Sequence, residues 1–404
     1  MRNRETRLML AALLLAATLG AASDVTAARR RARRPPAPPP APPRVTMVRN
    51  LPVDPARIDV AAHVLPVTGG ALIVGWTSIG QEPADALLLR VDEQGGVVWR
   101  RHVGGGGVDL AFSILPDRAG GFVCAGFTSS RGAGGTDGWI FAIDAQGDTA
   151  WQRTYGGAGN ERLISLQADG DGWIAAGQTG VGIDVDAWVL RVDGRGRERS
   201  SWTWGGEGTQ RALGLATLPS GEPVIVGGVG EGRAEVDAFV TRLNGLGRQV
   251  WTRPVDGPGY QVAYHLRRHT DGSLFVAGYG RMGESDDIGG YLLRLRGDGR
   301  VLRRTTLGAD STDRAVQSVV FDDGSAIVIG YSRPRAASDD QPVWTTMLYA
   351  LDPRGTVTWL SPVGSPGRES GRWIAGTADN LWAVAQSATP SGGSAVMVVR
   401  LARR

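Results

Sequence analysis

The chain has no lysine: its 44 basic residues are all arginine, set against 40 acids, for a formal net charge of +4. So complete a swap reads as a GC-rich codon signature rather than as selection for guanidinium chemistry. There is one cysteine, Cys124, so no internal disulfide or CxxC centre can form, and packing alone must stabilise the fold. Four histidines with that one cysteine offer no zinc-ligand spacing. No nucleophile elbow, HExxH pair or phosphate loop occurs. Beyond the extreme N-terminus no apolar run reaches the roughly 20 residues of a membrane span. Nine arginines and two acids fall within residues 1–44, leaving 35 arginines against 38 acids elsewhere. That balance excludes the concentrated basic patch of a nucleic-acid binder.

What the chain has in abundance is repetition. Gly75, Gly126, Gly177, Gly227, Gly278 and Gly330 follow one another every 50 to 52 residues, with Ala385 in the seventh place. A fixed period of this size marks a repeat architecture. The unit from Gly105 to Gly157 shows the content: Asp109–Leu115, Gly121–Thr128, Asp137–Asp144 and Ala150–Tyr155 each read as a strand, and the joints are Gly- and Asp-rich turns. Tryptophan recurs in the fourth strand at Trp99, Trp151, Trp202, Trp251 and Trp359, and the fifth unit lacks it near Arg303. The Trp column reads as packing between units. Four strands per unit and seven units predict an all-β fold, a seven-bladed β-propeller of four-stranded blades. The seventh unit, Glu369 to Arg404, stops after its third strand. Residues 45–53, VTMVRNLPV, resemble the fourth strands, so this N-terminal strand is expected to complete the last blade and close the ring, hiding open edges.

Residues 1–28 read as a signal peptide: Arg2, Arg4 and Arg7 precede the apolar run LMLAALLLAATLGAA and small residues follow. Residues 29–44 form an Arg/Pro-rich disordered linker, and residues 45–404 the propeller. A secreted or periplasmic monomer follows. Cys124, in an apolar second strand, reads as a small core residue.

Sites in a repeat protein are sought in columns. Just after the Gly-rich joint, each first strand carries a polar residue: Asp59, Asp109, Glu161, Gln210, Gln261, Asp313 and Glu369. Converging on a channel, this column would form a ligand-binding ring or hold calcium; serving its own turn, each member would accept backbone N–H groups locally. Four residues further along stand His63, Ser113, Ser165, Gly214, His265, Gln317 and Trp373, with the two imidazoles expected to face each other only across the channel. Arg162, Arg211, Arg314 and Arg372 lie beside the acid ring, where they could bind a uronate or other anion.

The turn DAQGDTAW at Asp144–Trp151, with DEQGGVVW and DPRGTVTW, resembles the docking turns of quinoprotein propellers, whose paired cysteines this chain lacks. A closer resemblance is to bacterial extracytoplasmic propeller repeats of the SBBP type. Their GG-x-G-x-D-x-A start and GG-apolar-G-x-T strand stand here at Gly104–Ala111 with Gly120–Thr128, and at Gly156–Leu163 with Gly172–Thr179. The resemblance implies an exported propeller without one defined activity. The expectation is a non-catalytic binding or scaffold module for a protein or glycan partner, without catalytic residues or a cofactor beyond calcium. The alternatives are a polysaccharide lyase, hydrolase or lactonase working at the channel mouth, and a structural envelope component.

Overall fold

The computed structural model describes residues 43–402 except 52–56, 183, 207, 231–235, 256, 258, 282–287, 309–310, 335–342, 368–369 and 390–392. The stretch expected as a signal peptide (1–28), most of the expected linker (29–44) and Glu369 therefore lie outside the described residues. Within them the chain forms 28 strands. In the second unit these are Asp109–Pro116, Phe122–Thr128, Asp137–Ile143 and Thr149–Tyr155, within a residue or so of the sequence reading. No helix among the described residues is long and apolar enough to cross a membrane.

Five antiparallel four-stranded sheets follow the repeat units in order, each built by chain neighbours, and one eight-stranded sheet joins the two ends of the chain. That larger sheet consists of two four-stranded sets meeting at a single parallel bridge, Ile58 with Ser394. One set is the first unit. The other is the last unit's three strands plus the N-terminal strand Arg44–Asn50, which pairs antiparallel with Ser394–Ala402. The N-terminal strand also takes over the packing role of a fourth strand. Trp99, Trp151, Trp202 and Trp251 each lie against a turn glycine of the next unit, Gly147, Gly196, Gly247 and Gly299. Gly95 of the first unit lies instead against Met47. Where the fifth unit lacks its tryptophan, Arg303 fills the space beside Gly355.

The glycine period has a steric cause. Each first strand carries a bulge at one position, between Ala61 and His63, Ala111 and Ser113, and so on to Gly371 and Trp373. An added residue bends a strand and increases its local twist. Two residues before the bulged one, the first-strand carbonyl presses against the second-strand glycine: a Cβ on Gly75 would stand 1.8 Å from the Val60 oxygen, and one on Gly126 1.8 Å from that of Leu110. In six units glycine recurs because a Cβ would meet that carbonyl; in the last unit Ala385 takes the place, opposite Gly371.

One sheet cannot bury both its faces, so the core lies between sheets. Val123, Ala125 and Ile140 of the second unit pack with Leu163, Trp173 and Trp188 of the third. Val319, Ile329 and Leu348 of the sixth pack with Ile374, Ala383 and Val399 of the last. Trp382, Val384 and Val398 of the last pack with Ala61, Ile73 and Leu87 of the first. Each first strand approaches those of the units before and after it, and Ser370–Thr377 approaches Arg57–Val67. The arrangement is propeller-like. Cys124 is a free, fully buried thiol between the first and second units; burial pushes its pKa up.

Candidate functional site at the ends of the first strands

At the beginning of the first strands stands the polar column. Asp59, Asp109, Glu161, Gln210, Gln261 and Asp313 are all buried, and each is engaged close to home. Asp109 accepts the Gly105 N–H at 2.8 Å and the Ser130 hydroxyl at 2.6 Å, and also the Thr128 hydroxyl. Glu161 repeats the pattern with Gly157 N–H at 3.0 Å and the Thr179 hydroxyl at 2.9 Å. Gln210 accepts from Gly206 N–H at 3.2 Å. The rest vary the theme: Gln261 donates to the Arg281 carbonyl at 2.9 Å, Asp313 accepts from the Tyr349 hydroxyl at 2.8 Å, and Asp59 is ion-paired to Arg100. A carboxylate four residues after a Gly-rich joint is thus placed to satisfy N–H groups that the turn leaves open. No three His, Cys, Asp or Glu among the described residues come together as a metal site.

The arginines beside this column are held mainly by rings. Arg162 lies 4.6 Å from the Phe127 ring centroid; Arg314 lies 5.0 to 5.6 Å from those of Tyr279, Tyr331 and Trp344. Arg372 donates to Gln386 at 2.9 Å.

Four residues on, past the bulge, the side chains meet in a cavity of about 520 Å³. His63, Ser113, Ser165, His265, Gln317 and Trp373 all line it. The two imidazoles do not merely face each other across a channel: both contact one indole. His63 stacks on Trp373 with ring centroids 4.1 Å apart, and His265 meets it edge-on at 5.5 Å. Sequence spacing could align these residues in a column but could not show that units one, five and seven send theirs to one spot.

Hydrogen bonds fix the tautomers. Ile114 N–H donates to His63 Nδ1 at 3.3 Å, so the proton of this neutral ring sits on Nε2. Gln317 accepts the Ile374 N–H at 3.2 Å with its oxygen, which turns its NH₂ toward His265 Nε2 at 3.3 Å. His265 therefore carries its proton on Nδ1, a buried atom without a partner. Burial pulls the pKa of both rings down to about 3; at His265 the charges of Arg267 and His63 act the same way. Both are neutral at ordinary pH.

Past the imidazoles, Arg267 and Arg268 close the first strand Gln261–Arg268 and also line the cavity. Arg267 is exposed and lines this space, and the protein around it lowers its pKa. Leu65, Leu115, Leu166, Leu215 and Leu266 supply apolar wall. No aspartate or glutamate is in the lining. A second hollow, of about 490 Å³, lies across a fourth strand among Arg131, Arg153, Arg197 and Glu198, where charges of both signs meet. The sequence reading passed over Arg267; the signal available was a lone charge in an otherwise neutral column.

The sheets and the cavity they surround define an all-β, propeller-like repeat protein. Solved structures resemble it at low identity. Puromycin hydrolase is 16% identical, with 82% of this chain and 51% of that one covered and a TM-score of 0.52; the chain thus spans about half its length. Sqt1 from Chaetomium thermophilum is 12% identical over 89% of this chain and 100% of that one, with a TM-score of 0.49. YCF48, solved bound to a D1 peptide, is 12% identical over 92% and 100%, also at 0.49. Likeness at such identities concerns fold alone. No protein-family model and no curated protein matches the chain.

Proposed function

We propose that the chain is an exported, seven-bladed β-propeller of the SBBP repeat type, closed by its N-terminal strand, that acts as a non-catalytic binding module. Its ligand site is the cavity past the first-strand bulges. Residues 1–28 serve export and residues 29–44 tether the ring. The observation that carries the site is broken symmetry. A fold made of repeats needs its braces in every unit, as at Asp109 and Glu161, whereas the cavity collects His63, His265, Gln317 and Trp373 from four units, and no one unit supplies the set.

The same lining favours binding over catalysis. General acid–base work at neutral pH needs a group titrating near it, and these imidazoles sit near 3. Neither does a carboxylate in the lining stand ready to orient them. The polar column at the opposite end is the weaker candidate, as a ring for calcium or a glycan.

The test is a small-molecule screen by melting temperature, since a ligand that binds only the native state raises its stability. Hits should vanish in Trp373→Leu and persist in Asp109→Asn. The reverse pattern, or a rise with calcium alone, would move the site to the polar column.

A further inference from the structure

Six residues after the polar column each first strand places another residue: Leu65, Leu115, Gln167, Ala216, Arg267, Val319 and Ala375. Six of the seven are uncharged, and all but Val319 line the cavity. The fold is therefore content with a neutral side chain here. In the fifth unit it carries a guanidinium, which stays ionised in any protein setting. Elsewhere several arginines meet a carboxylate, as Arg100 does Asp59, Arg242 Glu222 and Arg191 Asp169, while Arg314 and Arg372 meet rings or an amide. Arg267 makes no ion pair or hydrogen bond among the described residues, and loss of hydration is the sole cause of its lowered pKa. Arg268 adds a second positive charge at the same wall. The neighbouring imidazoles are neutral and the lining holds no carboxylate. Two arginines thus stand at one wall of the cavity with no carboxylate beside them, and a guanidinium presented to a pocket is a ready partner for an anion.

We infer that the cavity binds a small organic carboxylate, anchored by Arg267. This rests on the cavity being the binding site. The guanidinium fork matches a carboxylate with two parallel N–H bonds. Inorganic phosphate would suit the charge but not the walls, because the leucines and Trp373 call for an apolar or planar body behind the anionic head. A volume of about 520 Å³ is within the range of small-molecule sites. The field at this wall repels cations, so the ligand is an anion here and not calcium.

The experiment is calorimetric titration of the exported protein with a panel of aryl and alkyl carboxylates, benzoate and cyclohexanecarboxylate among them, each beside its uncharged amide. Wild type, Arg267→Gln and Arg267→Lys are compared. At least one carboxylate should bind about tenfold or more tightly than its amide. Arg267→Gln should remove that preference and Arg267→Lys restore part of it. Arg267 is no part of the core, so both variants should fold, which melting curves check. Equal binding of acid and amide, or binding indifferent to Arg267→Gln, overturns the carboxylate while leaving the cavity as the site. Silence from the whole panel overturns the carboxylate too, and hits from an uncharged library that depend on Trp373 would then keep the cavity reading.

Discussion

The two ends of the first strands obey different rules. At the start, Asp109 and Glu161 accept the backbone N–H four residues earlier and a second-strand hydroxyl, and Gln210 keeps the first of these bonds. Past the bulge the same strands diverge: imidazole, hydroxyl, hydroxyl, hydrogen, imidazole, amide, indole. Repetition at the start serves the second, third and fourth units alike, since a polar group buried without partners is costly wherever it occurs. Irregularity at the other end serves no single sheet, and it gathers around one space. Among similar units, the position that differs is the informative one.

The comparison can be broken by experiment. The largest effect should come from deleting residues 44–50, which takes the fourth strand from the last sheet and removes Met47 from Gly95. A fall in melting temperature of roughly 10 °C is expected, with aggregation through the bared edge. An unchanged melt would dismiss the closing strand.

Next, Asp109→Ala strands the Gly105 N–H and two hydroxyls, and should cost about 2–4 kcal/mol by denaturant unfolding, with Asp109→Asn costing less. Arg267→Ala should cost nothing or stabilise slightly, because it removes an uncompensated charge. Equal losses for the two alanine variants would erase the distinction between brace and site.

The effect confined to acid conditions is a pH slope. His63 and His265 titrate near 3 when folded and near 6.5 when free, so as pH falls the unfolded chain takes up protons first. Their contribution is fully present above about pH 6.5 and is lost progressively toward about pH 3, at up to about 1.4 kcal/mol per pH unit for each ring. Replacing both by glutamine should flatten that part of the stability profile; an unaltered slope would place the imidazoles outside the buried cluster.

Much of this was legible in the amino-acid order. The strands of the second unit could be placed to within about a residue because turn chemistry and apolar runs are local signals. The N-terminal strand could be assigned from its likeness to VVWRRHV, since a fourth strand must present the same packing face whichever end of the chain supplies it. The acid column could be aligned, and the local hydrogen bonds that occupy Asp109 and Glu161 follow from a Gly-rich joint four residues away. The cavity was not legible to that extent. His63 and Trp373 are 310 positions apart in sequence yet stack at 4.1 Å; the repeat puts them in one column, but it does not say that the first and last units meet there.

The sequence by itself determined the repeat, the strands within it and the glycines that let a first-strand carbonyl approach, because these depend on neighbours a few residues or one period away. Only the tertiary structure decided which side chains share the central space, which imidazoles lose their charge and which arginine lacks a partner. Those properties depend on burial and on distances between units, and both come into being when the sheets pack around a common centre.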